Sequence, residues 1–270
     1  MLDFILVLIF QHFDIITMVK VMQQYFGILK NNELIKLNLS DYHHIKDVMR
    51  LKDGNHIFVS FNKKMYKCAL RYISDDIYGE VIEDIFRDSE IKNYVTLIYG
   101  MPKNEKFELV IQKSCELGIG RIVPFLCERS IIKLDDNKIS SKMERWHKIA
   151  KEACEQSHRT TIPLIEKPIS IKDLENYLSN INICGNENLK SKGTSELFKF
   201  LDSSINDNDS LSILVGPEGG FSASEFDFFK KIGFMDFSFG HRILRSETAA
   251  IYILSVISFM LERNGDDYYE

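Results

Sequence analysis

Two segments of the chain combine glycines, carboxylates and arginines at spacings that could support catalysis. The first, LVGPEGGFS at residues 214–222, is an apolar run that enters a glycine-rich turn, and Ser222 followed by Glu225 is a pattern that begins helices. Glycines in such a turn allow a ligand to approach the backbone closely. The turn lacks both the Gly-Lys-Ser/Thr sequence of a P-loop and the GxGxxG spacing of a dinucleotide-binding fold. Taken alone, it indicates either a tight structural corner or a ligand-binding turn.

The second segment, FGHRILRSETAA at residues 239–250, predicts a strand end, a loop and the start of a helix. Arg242 and Arg245 flank the apolar pair Ile243 and Leu244, so that one guanidinium can face a site while the pair packs. A guanidinium aimed at a developing anion stabilises that anion. Arg245 is therefore the first candidate for a catalytic charge stabiliser, and Arg242 is the second.

Two carboxylates accompany these segments and could accept a proton, Glu218 in the first and Glu247 in the second. Each also has a structural interpretation. Glu247 lies near the start of the last predicted helix, where a negative charge favours the helix dipole, and Glu218 could simply hold the turn. The sequence leaves the proton acceptor undecided between these two groups and an ordered water.

The elements that position these residues change in character along the chain. From Tyr25 to about Asp88, short apolar or alternating runs separated by turn residues predict the strands of a small barrel. After Asn93 strands alternate with helices, and this alternation predicts an α/β domain with a parallel sheet covered by helices. Both chemical segments then follow the ends of predicted strands of that sheet.

The composition excludes several classes of protein. With 34 basic and 39 acidic residues the formal net charge is −5, and a hydrophobic content of 45% excludes a disordered chain. Five scattered cysteines without a CxxC pair indicate reduced thiols in the cytosol rather than a disulfide scaffold or a zinc cluster. His43 and His44 have no further ligands at metal spacing, so no metal is expected. The mild acidity requires any RNA-binding surface to be local.

The first 21 residues contain an apolar run from Phe4 to Phe10 that is too short for a membrane span. No basic segment precedes the run, as it would in a signal peptide. Because Met22 opens an ordinary strand pattern, we interpret residues 1–21 as an N-terminal extension that arises from the choice of start codon. An additional amphipathic helix is the alternative.

Residues 93–172 hold a local excess of positive charge, with 14 basic and 10 acidic side chains. Five basic residues recur along one predicted helix, beside the apolar stripe that contains Trp146: Lys142, Arg145, Lys148, Lys151 and Arg159. This spacing could follow the phosphates of RNA. On composition alone, a solvated helix face is the favoured explanation, because Glu144, Glu152 and Glu155 dilute the positive charge.

Together, the two segments closely resemble the SPOUT class of S-adenosylmethionine (SAM)-dependent RNA methyltransferases. The nearest match is the ribosomal RNA small subunit methyltransferase E family, which methylates N3 of a uridine in 16S ribosomal RNA. The resemblance runs from Met22 to about Arg263 and includes, in the same order, MQQYFGI, HHIKDVMRLKDGN, KFELVIQKSCELG and KMERWHKIAKEACEQSHR. The chain departs from the family pattern at Asn55, Phe239 and His241, and none of these changes removes an expected functional group.

The resemblance implies a PUA-like β-barrel for RNA docking at residues 22–90. A SPOUT α/β domain with a parallel sheet is implied at residues 91–270, and its C-terminal part is expected to be tied in a trefoil knot. SAM is the implied cofactor, and 16S ribosomal RNA, within the small ribosomal subunit, is the implied substrate. A homodimer and a cytoplasmic location are implied as well, with no membrane and no metal.

In this family the knot loops enclose the cofactor. Carried over by motif, the expected cofactor-binding residues are Gly185, Asn186, Glu187, Val215, Gly216, Pro217, Glu218, Gly219, Gly220, Phe239, Gly240, Ile243, Leu244, Arg245, Thr248 and Ala249. With the family in view, RNA contact is also favoured over a solvated face for the basic helix. The residues expected around the RNA are Lys113, Arg129, Arg145, Lys148, Gln156 and Arg159.

Two other functions remain compatible with the sequence. Another SPOUT enzyme would act on a ribose 2′-hydroxyl or on transfer RNA, but the barrel and the long basic helix favour the ribosomal uridine enzyme. A non-catalytic RNA-binding or ribosome assembly protein could retain the fold without methyl transfer. The intact GPEGG and RILRSETA segments argue against that second alternative.

Overall fold

The computed structural model describes residues 22–86, 89–102, 106–129, 136–189 and 194–263. The chain divides into two compact units, one ending at residue 87 and the other beginning at residue 88. The boundary predicted between residues 90 and 91 falls slightly further along the chain. The predicted extension at residues 1–21 lies outside the described residues.

The N-terminal unit is a closed five-stranded barrel, as predicted. Its strands are β1 (Gln24–Asn31), β2 (Leu34–Leu37), β3 (His56–Phe61), β4 (Lys64–Ile73) and β5 (Asp76–Ile85), arranged in the order β1-β2-β5-β4-β3. Neighbouring strands are antiparallel except β1 and β3, whose parallel pairing closes the barrel. Asn62 and Lys63, between β3 and β4, both have positive φ, which a tight two-residue hairpin turn of type I′ requires.

Alternation along the strands builds the core of the barrel. Every second side chain of a strand points to the same face, so the apolar set faces inward and the polar set faces water. The inward set forms one buried cluster that includes Tyr25, Ile35, Val59 and Leu70. The barrel therefore has its own hydrophobic core, as an independent domain requires.

The second unit is a six-stranded, entirely parallel sheet with helices, as predicted. The strands are β6 (Tyr94–Gly100), β7 (Arg121–Phe125), β8 (Leu164–Ile165), β9 (Ile181–Gly185), β10 (Ser210–Val215) and β11 (Met235–Phe237), in the order β11-β9-β10-β6-β7-β8. The helices are α1 (Lys106–Glu116), α2 (Asp136–Gln156), α3 (Thr194–Ser204), α4 (Ala223–Lys231) and α5 (Ser246–Arg263). Strands covered on both faces are apolar throughout, which explains the run VTLIY in β6.

Aromatic side chains join the helices to the two faces of this sheet. On one face, the Phe107 ring of α1 lies 5.8 Å from the Tyr99 ring of β6 and 4.7 Å from the Trp146 ring of α2. On the other face, Phe229 of α4 lies 6.1 Å from Phe125 of β7. These contacts fix the helices, and so the loops that precede them, against the carboxyl edge of the sheet.

The order of the strands places a topological switch point at that edge, between β6 and β10. From β6 the chain continues to β7, towards one edge of the sheet. From β10 it continues to β11, towards the opposite edge. Open α/β sheets bind ligands where adjacent connections diverge in this way. A Cβ atom at Gly100, the last residue of β6, would lie 2.5 Å from Cδ of Pro217, which follows β10. Only glycine permits so close an approach of the two backbone segments.

Candidate functional site

Three loops at the carboxyl edge of the sheet contain most of the residues predicted to bind a cofactor. The loops follow β9, β10 and β11, which are neighbours in the sheet. A Cβ atom at Gly185 would lie 2.7 Å from the ring of Phe239, so the loops after β9 and β11 are in contact. A Cβ atom at Gly220 would clash with the carboxylate of Glu187, so the loops after β9 and β10 are in contact as well. The fold therefore gathers segments that are distant in sequence.

The loop after β10 is a tight turn that leads into α4. The N–H of Gly220 donates to the carbonyl of Pro217 at 2.9 Å, and Gly220 has a φ of +63°, which favours glycine. Phe221 is buried and anchors the turn in the core. The predicted capping box is confirmed, since Ser222 Oγ accepts from the Glu225 N–H at 3.2 Å and the Glu225 carboxylate accepts from the Ser222 N–H at 2.8 Å.

Two residues from the loop after β7 hold this turn from the side. The N–H of Glu128 donates to the other carboxylate oxygen of Glu225 at 2.7 Å. The guanidinium of Arg129 donates to the carbonyl of Gly219 at 2.8 Å. Arg129, which was predicted to contact RNA, is exposed and also positions the turn. Gly219 is itself exposed, and the turn thus presents its backbone in a fixed orientation.

The loop after β11, residues 238–245, is tied to the same turn through the first residue of α5. The hydroxyl of Ser246 is hydrogen bonded to the carbonyl of Gly216 and, at 2.7 Å, to the hydroxyl of Tyr99 in β6. Burial raises the pKa of Tyr99, so its hydroxyl keeps its proton at neutral pH. The start of α5 is therefore fixed to the ends of both β6 and β10.

The side chains of this loop differ from the predicted arrangement. The sequence predicts that Ile243 and Leu244 pack together, and Leu244 is indeed half-buried. Ile243, however, is 86% exposed, so the prediction that it packs is wrong. Arg242 and Arg245 are both exposed. The loop thus presents one apolar side chain and two guanidiniums to solvent beside the turn after β10.

In the loop after β9, the side chain of Asn186 is occupied by structural contacts. Its amide donates to the carboxylate of Asp236 at 2.9 Å, and its carbonyl oxygen accepts from the N–H of Asn188 at 3.0 Å. Its own N–H donates to the carbonyl of Phe237 at 2.9 Å. Asn186 is therefore better suited to shaping the loop than to binding a ligand through its side chain.

The two candidate proton acceptors meet at a residue that the sequence analysis did not identify. The Lys106 ammonium, at the start of α1, lies 3.2 Å from a carboxylate oxygen of Glu218 and 3.4 Å from one of Glu247. These ion pairs raise the pKa of Lys106, so it stays charged at neutral pH. A lysine in the first turn of a helix opposes the helix dipole. That unfavourable placement is the one signal in the sequence that could have singled it out.

The residues predicted to contact RNA do not form one group. Lys113 pairs within α1 with Glu116 at 2.8 Å. On α2, Arg145 pairs with Glu108 at 2.6 Å while remaining 60% exposed, and Lys148 and Gln156 are exposed. These side chains are accessible to a nucleic acid.

Arg159 is a correction to the prediction of RNA contact. It is 3% exposed, and its guanidinium donates to the carboxylate of Glu90 at 2.5 Å and to the carbonyls of Cys115 and Ile119 at 3.0 and 2.9 Å. The second carboxylate oxygen of Glu90 accepts from the N–H of Thr160 at 2.8 Å. Arg159 therefore fixes the loop after α2 to the end of α1 and has no face turned to RNA.

Replacing Arg159 by Met should destabilise the protein by about 3 kcal/mol, because it leaves the Glu90 carboxylate and two carbonyls without their buried donor. Urea unfolding measures this loss. Arg145→Met is the matched control, since it breaks an exposed ion pair and should cost less than about 1 kcal/mol. Equal stability of the two variants would show that Arg159 has no structural role.

Metal-binding clusters, membrane-spanning helices and reactive thiols are the other kinds of site that the side chains could form. Within the described ranges, no group of three or more His, Cys, Asp or Glu side chains is placed to hold a metal ion. No helix in the same part of the chain is long and apolar enough to cross a membrane. All five cysteines are buried, and burial raises the pKa of the Cys68 thiol to about 12 and that of Cys184 well above its usual value. These two thiols are therefore uncharged at neutral pH.

Comparison with protein families identifies both units. Residues 89–258 match the RNA methyltransferase domain family, and residues 37–81 match the RNA methyltransferase PUA domain family. The first match covers more than half of the chain. The barrel is therefore PUA-like, and the α/β unit is an RNA methyltransferase domain.

Individual relatives agree with the domain matches. The chain is 36% identical over 250 residues to Ribosomal RNA small subunit methyltransferase E of Bacillus subtilis, covering 89% of this chain and 98% of the relative. It is 35% identical to the protein of the same name from Mesomycoplasma hyopneumoniae, covering 84% and 94%. The solved structure of Ribosomal RNA small subunit methyltransferase E from Neisseria gonorrhoeae, bound to S-adenosyl methionine, shares the fold with a TM-score of 0.77 at 24% identity, covering 88% and 98%. The chain therefore belongs to the Ribosomal RNA small subunit methyltransferase E family of RNA methyltransferases.

Proposed function

We propose that this protein transfers a methyl group from SAM to N3 of a uridine in 16S ribosomal RNA. The observation that carries the proposal is the convergence of the three loops after β9, β10 and β11 in a chain that belongs to this family. A protein from Legionella pneumophila, 26% identical with a TM-score of 0.77 over 90% of this chain and 98% of that one, was solved with SAM bound. This likeness supports SAM as the cofactor.

The loops have properties that suit SAM. The turn after β10 exposes the backbone of Gly219, where a Cβ atom would meet nothing closer than Arg129 at 3.7 Å, so there is room for a ligand. Beside the turn, the exposed Ile243 offers an apolar surface to an adenine ring. Glu187, exposed at the end of β9, offers a carboxylate to ribose hydroxyls. Backbone groups around Gly216 and Gly240 would complete the enclosure.

The protein must activate uracil N3 as a nucleophile, whereas the methyl donor needs no activation. When bound, SAM supplies an electrophilic methyl group on a sulfonium, which needs no activation by the protein. Uracil N3, in contrast, carries a proton, and its charge spreads onto O2 and O4 when that proton leaves. Holding N3 in line with the methyl group contributes up to about 7–11 kcal/mol. The exposed guanidinium of Arg245 would stabilise the charge on the oxygens.

The proposal also includes a trefoil knot, a homodimer, a substrate within the small ribosomal subunit and a cytoplasmic location. The loop after β11 leaves the edge strand and returns to Ser246 beside β6 and β10, a path compatible with the trefoil knot of the family. The exposed Phe259 of α5, at 67%, gives that helix an apolar surface for a second copy, which supports a homodimer. The family match also supports a substrate within the small ribosomal subunit and a cytoplasmic location.

Nucleoside analysis of methylated RNA tests the function. The purified protein is incubated with labelled SAM and with small ribosomal subunits, free 16S ribosomal RNA or transfer RNA, each lacking the N3 methyl group. N3-methyluridine in the ribosomal samples is the expected product. A 2′-O-methyl nucleoside or label in transfer RNA would indicate a different SPOUT enzyme, and SAM binding without transfer to any RNA would indicate a non-catalytic protein.

The basic face of α2 is expected to bind the RNA backbone. The double variant Arg145→Ala with Lys148→Ala removes two exposed cations, and it should reduce the slope of log K against log salt by about 2. RNA affinity is measured by filter binding from 50 to 300 mM salt. Lys199→Ala with Lys231→Ala, two exposed lysines elsewhere on the unit, is the charge-matched control. An equal change in slope for both double variants would mean that α2 has no special role.

A further inference from the structure

Lys106 connects three segments that the fold brings to the carboxyl ends of β6 and β10. It begins α1, just after β6; Glu218 lies in the turn after β10; and Glu247 lies in the first turn of α5. A single ammonium group thus forms ion pairs with two carboxylates from different parts of the chain. Because a cation is unfavourable at a helix start, helix stability does not explain its presence there.

The two carboxylates differ in exposure, and this difference assigns their roles. The Glu247 side chain is 12% exposed, and its Oε2 atom is buried without a hydrogen-bond partner among the described residues. That oxygen is closed to a substrate in this structure, so Glu247 is suited to anchoring Lys106. The Glu218 side chain is 38% exposed and lies beside Gly219 on the surface of the cofactor turn. Of the two carboxylates, Glu218 is therefore the one that a uracil bound beside the cofactor turn can reach.

We propose that Lys106 is a positioning residue: anchored by buried Glu247, its ammonium group holds Glu218 where the Glu218 carboxylate accepts the N3 proton of the target uracil. The proposal rests on the proposed function and extends it by naming the proton acceptor and the residue that holds it. Glu218 is then the catalytic base, while Lys106 acts through it.

The reaction balances without any further reagent. The N3–H bond breaks and its proton goes to a Glu218 oxygen, while the N3 electron pair forms the new bond to the methyl carbon. The bond between that carbon and the donor sulfur breaks, and its electron pair stays on sulfur. Glu218 later releases its proton to water.

An RNA substrate with a more acidic N3–H separates this role from a merely structural one. Fluorine at C5 withdraws electrons from uracil, so 5-fluorouridine needs less help from a base. We therefore compare kcat at saturating SAM for RNA that carries uridine or 5-fluorouridine at the target site. With uridine RNA, Glu218→Gln and Lys106→Met should each lower kcat about 100-fold. With 5-fluorouridine RNA, both deficits should shrink at least about fivefold.

Two further variants complete the test. Lys106→Arg retains a cation that can pair with both carboxylates and should recover most of the rate lost in Lys106→Met. Arg121→Met breaks another ion pair, with Glu166 at 3.7 Å at the amino end of β7, and should leave kcat unchanged with both RNAs. SAM affinity, measured by calorimetry, should stay close to wild type in both Lys106 variants. Lys106→Met also leaves the buried Glu247 without its cation and should lower thermal stability, so rates are compared well below the melting temperature of each variant.

The results separate failure of this proposal from failure of the proposed function. If the wild type methylates uridine RNA but Lys106→Met loses less than about threefold in kcat, or loses equally with both RNAs, the positioning role is wrong. A Glu218→Gln deficit that does not shrink with 5-fluorouridine would remove Glu218 as the base. If the wild type methylates neither RNA, the proposed function fails, and this proposal fails with it.

Discussion

Replacing Arg245 by Ala should slow methyl transfer about 100-fold or more while SAM affinity stays within about threefold of wild type. Arg245 immediately precedes Ser246, whose hydroxyl is fixed to the Gly216 carbonyl and to Tyr99. The backbone of Arg245 is therefore held beside the cofactor turn, while its side chain remains exposed for a substrate. A group that contacts only the developing charge on uracil affects the rate and leaves the binding of the methyl donor unchanged.

Single-turnover rates with labelled SAM, together with calorimetry for the cofactor, measure both quantities. Arg242→Ala is the matched control, because Arg242 is also exposed but lies three residues further from the fixed point at Ser246. We expect it to have the smaller effect on the rate. Equal losses of rate and of SAM affinity in Arg245→Ala would mean that this arginine binds the cofactor and does not stabilise charge.

Patterns that depend on near neighbours in the sequence predicted the fold well. Alternation with a period of two identified the barrel strands, and continuous apolar runs identified the parallel strands that are covered on both faces. The Ser222 and Glu225 capping box needs only four consecutive residues and was confirmed. The position of the turn at 216–221 followed from the same local reasoning, because its glycines and the capping box both mark the end of a strand.

Arg159 shows where such reasoning fails. The sequence predicted that Arg159 continues the helix of Arg145 and Lys148, but α2 ends at Gln156 and His158 has a φ of +58°. The N–H of Arg159 then donates to the carbonyl of Cys154 at 2.9 Å, as in a left-handed helix end, and the side chain turns inward. Its partner Glu90 lies 69 residues away, a distance over which sequence periodicity carries no information.

The cofactor loops show a second limit. The role of Lys106 could not be predicted from the sequence, because its two partners come from other segments and only the folded sheet brings them together. Ile243 was predicted to pack because it is apolar, but an apolar side chain on a loop can also be exposed and contact a ligand. Chain-local patterns therefore locate the loops, whereas the pairing of charges between loops requires the three-dimensional structure.

Substitution of Gly219 by Val should raise the Kd for SAM at least about 100-fold while the unliganded protein stays as stable as wild type to within about 1 kcal/mol. A Cβ atom at this position would meet only the side chain of Arg129, at 3.7 and 3.8 Å, and the backbone has no positive φ. The unliganded turn thus accepts a side chain without strain. The same side chain would occupy the space through which a ligand approaches the backbone.

Calorimetric titration with SAM and thermal unfolding without it separate these two effects. Gly220→Ala is the informative comparison, because Gly220 has a φ of +63° and a Cβ atom there would clash with Glu187. That variant should lose both stability and affinity, since it distorts the turn itself. If Gly219→Val binds SAM as tightly as wild type, the ligand does not approach the backbone here. The GPEGG turn would then be the tight structural corner that the sequence alone also allowed, and the cofactor would have to bind elsewhere on the three loops.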